Sequence, residues 1–247
     1  SLEENKSTQF VLSAATIPTM GLKSVENYIR KRFPDAEHVR ADLMHKQHPS
    51  TVQEFIETKV DFEDKISHVT EAIRNYETDY PKTILFANSA KDAQKFADAL
   101  EQEGILNVYP YHKDVQSAER DATIDTFREA DNGILVCTDL GARGLDIPDV
   151  RHVIQGQFAT NVVQHLHRIG RATRAGKAGR ATNFYDEKNK DLIEAIQDAG
   201  EENLDHSFSR RRGFRKSVRR YGKKFYKDGG KPTSGDDNFK KGKPKQP

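Results

Sequence analysis

The chain of 247 residues contains a single cysteine, Cys137, so it cannot form an internal disulfide or a zinc site with several cysteine ligands. Scarce cysteine is typical of reducing compartments, and we expect an intracellular protein, with cytoplasm, nucleus and organelle all left open. The polar N-terminus, SLEENKSTQF, lacks the apolar core of a secretory signal. No apolar run approaches the roughly eighteen residues of a transmembrane helix, so we expect no membrane partner.

Charge is divided unevenly along the chain. Residues 206–247 carry fifteen Lys or Arg against three Asp, whereas the rest of the chain carries 25 basic and 35 acidic residues. This tail has almost no aliphatic side chains, so it cannot bury enough apolar surface to offset the entropy lost on ordering. The composition therefore predicts a basic, disordered tail at 206–247.

Aromatic side chains are interleaved with the cations of this tail. Cations neutralise phosphates and release counterions, while aromatic rings stack on unpaired bases. The pattern favours RNA binding over a solubilising tail, and a nuclear targeting signal stays open. The aromatic residues are Phe208, Phe214, Tyr221, Phe225, Tyr226 and Phe239.

The first 205 residues alternate short apolar runs with amphipathic helical patterns. Continuously apolar strands between helices predict an α/β fold with a parallel sheet covered on both faces. Ligands of such sheets bind at the carboxyl ends of the strands. We predict helices over 22–33, 66–76, 90–104, 117–127, 162–169 and 192–199, and strands over 83–86, 108–111, 134–137, 150–154 and 180–185, with 52–60 either a strand or an extended linker.

Two polar loops carry most of the candidate chemistry. In the first, CTDLGARGLDIP at 137–148, two glycines bracket an arginine. Glycine permits close approach of the backbone to a phosphate, although a plain strand-to-helix turn explains the loop equally well. The second loop, at 167–177, holds arginines at intervals of three and a lysine. Without interleaved carboxylates, these cations favour a bound phosphate over a solvated basic face.

These loops resemble motifs V and VI of the DEAD-box RNA helicases. The matching stretches are VCTDLGARGLDIPDV at 136–150 and HRIGRATRAGKAG at 167–179. In the family's order, TILFANS at 83–89 is similar to motif IV, 112–120 to the segment ending in the QxxR element, and 15–18 to the end of motif III. The resemblance covers residues 10 to about 200 and implies a RecA-like fold, in which helices sandwich a parallel sheet.

Two motifs of this family do not occur in the sequence. It contains neither a phosphate-binding G-x-x-x-x-G-K-[ST] loop nor an Asp-Glu-Ala-Asp motif. Both precede motif III, so the resemblance implies the C-terminal half of a helicase, which alone does not hydrolyse ATP. We expect the end of the first RecA-like domain at 1–48, a linker at 49–64, the C-terminal RecA-like domain at 65–205 and the tail at 206–247.

The resemblance also implies roles for individual residues. Arg174 corresponds to the arginine finger on the γ-phosphate of ATP, worth roughly 10³–10⁵ in rate, with Arg171 beside it. Asp146, assisted by Gly144, is expected to face the ATP ribose, and Mg²⁺ is expected to be held mainly by the N-terminal domain. Asn88, Arg120 and Thr138 are expected to contact RNA phosphates and sugars, and such contacts do not depend on the base sequence. The residues expected to couple the two domains are Thr16, Arg143, His167 and Arg168.

The sequence departs from the family pattern in five places. All three motif VI arginines are nevertheless kept, so the implied phosphate role survives. The departures are Ala14 for the serine of Ser-Ala-Thr in motif III, Lys113 for the glycine of His-Gly, Ser117 for the glutamine of QxxR, Gly141 for an alanine of motif V, and Ala172-Thr173 for the Thr-Gly of motif VI.

Two classes of function remain open. One is an ATP-dependent RNA helicase, and the other is a non-catalytic RNA-binding or adaptor module on the same fold. The arginines of motif VI favour the helicase, because an adaptor has no need of a γ-phosphate clamp. A DNA helicase of the wider superfamily fits motifs V and VI less closely. We expect a monomer and no metal site in this chain, since His165 and His167 fall on different sides of a helix.

Overall fold

The computed structural model describes residues 9–14, 17, 25–39, 49–75, 81–142, 144–173 and 178–201. The tail at 206–247 lies outside these residues, so its predicted disorder stays a prediction. None of the helices in the described ranges combines the length and the apolar character that a membrane span requires. In chain order the elements are α1 (Val25–Arg32), β1 (Thr51–Glu57), α2 (Phe62–Arg74), β2 (Thr83–Phe86), α3 (Ala90–Gln102), β3 (Val108–Tyr111), α4 (Ser117–Glu129), β4 (Ile134–Cys137), α5 (Asp139–Ala142), β5 (His152–Gln155), α6 (Val162–Ile169), β6 (Gly179–Tyr185), a 3₁₀ turn (Glu187–Asn189) and α7 (Lys190–Glu201).

The strands form one six-stranded sheet in the order β1-β6-β5-β2-β4-β3, and every neighbouring pair is parallel. Parallel neighbours require crossover connections, which the helices supply. Three adjacent interior strands, β5, β2 and β4, are buried at every position. The predicted α/β fold with a RecA-like parallel sheet is confirmed, and the continuous apolar runs were the signal for it.

Alternating side chains of the central strands supply two separate apolar cores. Leu85 of β2 packs with residues of α2 and α3 on one face. Phe86, the next residue, packs on the other face with Phe127 of α4 and with the loop after β4. Successive side chains of a strand point to opposite faces, so the sheet is held on both sides and the ends of its strands have a defined position.

Helix α3 shows how the local sequence sets one of these elements. The Ser89 side chain accepts a hydrogen bond from the Asp92 backbone N–H and caps the helix start. The apolar residues at helical spacing that predicted this helix are all buried: Ala90, Ala93, Phe96, Ala97 and Leu100. Gly104 follows the helix end with φ of +77°, a conformation that glycine adopts without steric strain. Helix α3 therefore begins directly after the loop that leaves β2.

Of the two alternatives for 52–60, the strand is confirmed over 51–57, so the linker predicted at 49–64 is wrong there and at 62–64, where α2 begins. Residues 51–57 form β1, an edge strand that pairs in register with β6 from Thr51 opposite Gly179 to Glu57 opposite Tyr185. The alternation of β1 is weak because one side of an edge strand has no neighbour, and its partner lies far away in the sequence. By contrast, α1 buries none of its described residues within this chain. Strand β1 thus belongs to the six-stranded sheet, and the domain bounds stay a prediction.

Candidate functional site

The carboxyl ends of three adjacent strands bring polar side chains together at one edge of the sheet. Asn88 follows β2, Thr138 and Asp139 follow β4, and Gln157 follows β5. The Asn88 backbone N–H donates to Gln157 Oε1 at 2.8 Å, and Asn88 Nδ2 donates to the Phe158 carbonyl at 3.0 Å. The loops after β2 and β5 are thus joined directly.

Arg168, in the last turn of α6, connects all three loops. Its side chain is 1% exposed, and its guanidinium lies 5.1 Å from the Phe86 ring centroid. A guanidinium has five N–H donors, and here each one has an acceptor. Nε and Nη2 donate to Asp139 Oδ1 and Oδ2 at 2.8 and 2.7 Å, Nη2 also to Asn88 Oδ1 at 2.7 Å, and Nη1 to the Gln157 carbonyl at 2.7 Å and Gln155 Oε1 at 3.1 Å.

This geometry corrects the interdomain role expected for Arg168. A side chain buried to this extent, with all five donors used within its own domain, has no donor left for a neighbouring domain. No carboxylate is interleaved in 167–177, but Asp139 neutralises Arg168 from another part of the chain. Arg168 instead fixes the positions of the residues around it.

The carboxylate of Asp139 is held in its charged form. Burial alone would raise the pKa of Asp139, but the hydrogen bonds and charge of Arg168 and a hydrogen bond from Gln164 hold it below its ordinary value. Gln164 Oε1 in turn accepts from the backbone and hydroxyl of Thr160. Helix α6 is therefore attached to the loop after β4 through both Gln164 and Arg168.

Arg171 lies one turn after Arg168 but has a different environment. It is half-buried, and its Nη1 donates to the Leu145 carbonyl at 3.2 Å. Arg171 is thereby joined to the loop of Gly144 and Asp146, both of which are exposed. Gly144 has φ of +72°, and a Cβ there would meet nothing within 4 Å, so backbone conformation rather than close approach requires this glycine.

The loop of Arg171 packs tightly against the sheet. A Cβ on Gly179, at the start of β6, would lie 2.2 Å from the Ala172 carbonyl oxygen. Thr173 Oγ1 lies 3.2 Å from Thr51 Oγ1 in β1. Residues 171–173 therefore pack closely against β1 and β6. This close packing is possible because Gly179 has no side chain.

The structure describes some of the other residues that were predicted to contact RNA or to couple the two domains. Arg120, in the first turn of α4, lies with Nη1 at 3.5 and 3.4 Å from the carbonyls of His112 and Lys113, which follow β3. Thr138 is half-buried at the end of β4, and His167 is exposed on α6, opposite the buried His165. Thr16, Arg143 and Arg174 lie outside the described residues, so their assignments stay predictions.

Sequence reasoning missed the polar residues that hold this site together. Asp139 stood within the loop that was singled out, but nothing nearby in the sequence identified its partner. Gln155 is the last residue of β5, follows Val153 and Ile154, and is fully buried, and Gln164 lies four residues before Arg168. A polar residue directly after an apolar pair at the end of a strand was the available signal.

Comparison with known proteins agrees with this geometry. The family model described as the helicase conserved C-terminal domain matches residues 64–176. The chain is 39% identical over 218 residues to DEAD-box ATP-dependent RNA helicase 22 of Arabidopsis thaliana, covering 87% of this chain and 37% of the relative. It is 36% identical over 225 residues to the helicase of the same name from Oryza sativa subsp. japonica, covering 87% and 38%. The chain thus spans just over a third of the length of these relatives.

Two solved structures show the same similarity. The C-terminal domain of the DEAD-box protein Dbp5 is 31% identical with a TM-score of 0.52, covering 60% of this chain and 84% of that chain. S. cerevisiae Dbp5 bound to RNA and ADP BeF₃ is 28% identical with a TM-score of 0.60, covering 71% and 46%. The fold and site define a RecA-like helicase C-terminal domain. The chain belongs to the DEAD-box helicase family, as its motifs V and VI implied.

Breaking the Arg168–Asp139 pair should strongly destabilise the domain. We expect Asp139→Asn to lower the free energy of unfolding by about 3 kcal/mol, because it leaves a buried cation without its counter-charge. Asp125→Asn is the matched control, since Asp125 pairs with Arg128 at 2.9 Å on the surface and should change stability by less than about 1 kcal/mol. Urea denaturation measures both, and equal effects would contradict the role given to Arg168.

Two buried histidines should make the domain sensitive to acid. Burial lowers the pKa of both His152 and His165 from 6.5 to about 3. The unfolded chain binds these protons from about pH 6.5 downward and the folded chain does not. Between pH 6.5 and 4.5 the free energy of unfolding should therefore fall, by up to about 1.4 kcal/mol per pH unit for each histidine.

Urea denaturation at pH 7, 6, 5 and 4.5 measures this slope. His152→Leu and His165→Leu should each flatten it, although both lower stability at pH 7. His38→Leu, at an exposed position, is the control and should leave the slope unchanged. A wild-type slope retained in both core variants would show that other groups cause the acid sensitivity.

Proposed function

We propose that this chain is the C-terminal RecA-like lobe of an ATP-dependent RNA helicase. Together with an N-terminal lobe that carries the phosphate-binding loop, it closes around ATP and RNA and locally separates or remodels RNA duplexes. Arg168 is the observation that carries this proposal, because it joins the loops of motifs IV, V and VI into one edge. Groups assigned to RNA and to ATP would then share one edge of the sheet, which supports the proposal.

In this proposal the two arginines after Arg168 act on the phosphates of ATP. Arg171 is held beside the loop of Gly144 and Asp146 by its bond to Leu145, and these two residues are assigned to the ribose. Arg174 is assigned to the γ-phosphate, where a cation stabilises the charge that spreads over the phosphoryl oxygens during transfer. Closure of the two lobes would place Arg174 there only when ATP and RNA are both bound.

The magnesium that accompanies ATP is assigned to the N-terminal lobe. Both carboxylate oxygens of Asp139 accept hydrogen bonds from Arg168, and one also accepts from Gln164. This carboxylate is therefore unavailable as a metal ligand. When bound, Mg²⁺ supplies charge neutralisation at the β- and γ-phosphates, and the residues of this chain contribute arginines there.

Asn88, Arg120 and Thr138 are assigned to the RNA backbone. They follow or face the ends of β2, β3 and β4, which are neighbours at one end of the sheet. Contacts from such residues to phosphates and 2′-hydroxyls read the shape of a strand rather than its base sequence. We propose a monomer in which the basic tail adds affinity for RNA of any sequence.

Removing the arginine finger should separate ATP hydrolysis from RNA binding. In the whole protein, Arg174→Ala should lower the ATPase rate by about 10³-fold or more, while RNA affinity changes little. Arg151→Ala is the control, because Arg151 is exposed just before β5 at the opposite edge of the sheet. A steady-state ATPase assay with and without RNA measures both variants. Unchanged hydrolysis in Arg174→Ala would contradict the proposal, and RNA binding without hydrolysis in the wild type would favour the adaptor.

Deleting the tail should weaken RNA binding and its dependence on salt. Residues 206–247 carry fifteen cations, and each phosphate contact on a single strand contributes about 0.7 to the slope of log affinity against log salt. Fluorescence anisotropy with a labelled oligouridine at several salt concentrations measures this slope for both chains. The same affinity and slope after deletion would show that the tail does not bind RNA.

A further inference from the structure

A chain of buried amide side chains crosses the sheet beneath the site. It begins at Arg168, passes through Gln155 at the end of β5 and Asn183 in β6, and ends on β1. Gln155 and Asn183 are each fully buried. Buried amides without partners would be costly, so the bonds of each one show what it does.

Gln155 makes four hydrogen bonds, which use its whole capacity. Its Nε2 donates to Asn183 Oδ1 and to His165 Nδ1, both at 2.8 Å. Its Oε1 accepts from the Ala159 backbone at 3.0 Å and from Arg168 Nη1 at 3.1 Å. Gln155 therefore cannot rotate without losing at least one of these hydrogen bonds.

Asn183 continues the chain to the edge of the sheet. Its Oδ1 accepts from Gln155, while its Nδ2 donates to the Glu54 carbonyl at 2.9 Å and to Gln53 Oε1 at 3.2 Å. Both acceptors belong to β1, the strand that follows the N-terminal segment of residues 1–48. The hydrogen bonds therefore connect β1 at one end, through Arg168 at the other, to Asn88, which is assigned to RNA.

The chemistry of the two ends gives this chain one direction. A guanidinium only donates hydrogen bonds, and a backbone carbonyl only accepts them. Gln155 must therefore present its oxygen to Arg168 and its nitrogen to Asn183, which must present its nitrogen to Glu54. Turning either amide, or both together, would place two donors or two acceptors in contact, so only one arrangement of the two amides keeps every bond.

We propose that Gln155 and Asn183 are positioning residues that connect the placement of β1 to the orientation of Arg168, and through it to Asn88 and Asp139. A displacement of β1 by the segment that precedes it would reach the carboxyl edge along this chain. The consequence for RNA affinity rests on the proposed function, whereas the connection between β1 and Arg168 does not.

The test follows the Arg168 guanidinium directly. Hydrogen exchange of its Nε–H, measured by NMR on the ¹⁵N-labelled chain, is divided by the exchange rate of the Leu85 backbone N–H in the central strand β2. This ratio cancels any general loss of stability, because a destabilised domain opens at both places. Asn183→Leu should raise the ratio about tenfold, since one buried bond is lost from the chain.

Two further variants complete the design. Thr182→Val is the matched control. Thr182 precedes Asn183 in β6 and is equally buried, but it bonds to His152 and takes no part in the hydrogen bonds that link Arg168 to β1. The exchange ratio should therefore stay constant in this variant. Gln53→Ala removes a half-buried acceptor on the edge strand and keeps a folded sample available. It should raise the ratio about threefold, less than the loss of a fully buried bond.

The outcomes separate this proposal from the proposed function. An unchanged ratio in Gln53→Ala and in a folded Asn183→Leu overturns the proposal, and so does an equal rise in Thr182→Val. An exchange ratio that rises in Asn183→Leu and in Gln53→Ala but not in Thr182→Val supports the proposal. Affinity for oligouridine is measured in the same samples and in Asn88→Ala. If Asn88→Ala leaves this affinity unchanged while the ratio still rises in Asn183→Leu, the assignment of Asn88 to RNA fails and the connection stands.

Discussion

One buried cation, the guanidinium of Arg168, determines how the functional edge of this domain is arranged. Arginine stays charged at every physiological pH, so its burial demands a counter-charge and five acceptors. Asp139 supplies the charge, and Asn88, Gln155 and Gln157 complete the set. Because these acceptors belong to loops that follow three different strands, satisfying a single side chain fixes the relative positions of all three loops. A loop that moved alone would leave a donor without a partner in a region from which water is excluded.

The pattern of arginines at intervals of three does not by itself assign a role. Arg168 and Arg171 lie three residues apart, yet Arg168 is a buried cation paired with Asp139 and Arg171 is half-buried beside the Leu145 carbonyl. Burial distinguishes the two positions. Arg168 thus supports the turn on which Arg171 is presented. The functional surface and the core are joined at this point rather than being separate parts of the molecule.

Features of the fold and of the candidate site that depend on neighbouring residues could be predicted from the sequence, whereas contacts between residues far apart in the chain could not. The strands β2 and β4 are continuously apolar, and α3 has a regular stripe, so these elements were predicted within a few residues. The predicted ends of the strands indicated where polar loops would meet, and the structure joins Asn88, Asp139 and Gln157 there through Arg168. The interactions that could not be predicted join residues far apart in the chain: Arg168 with Asp139, 29 positions away, and β1 with β6. Local periodicity carries no information on such a pairing, so the partner of the buried cation was missed and residues 52–60 were left open between strand and linker.

Cys137, the last residue of β4, is the sole cysteine of the chain and is fully buried. Burial raises the pKa of its thiol to about 12, and thiol reagents attack the thiolate rather than the thiol. Modification of the unaltered protein by a maleimide or by iodoacetamide therefore proceeds only through openings that expose the end of β4, the strand from which Thr138 and Asp139 extend. The rate of Cys137 modification thus reports on motions at the edge of the sheet where Arg168 joins the loops, with no engineered label needed.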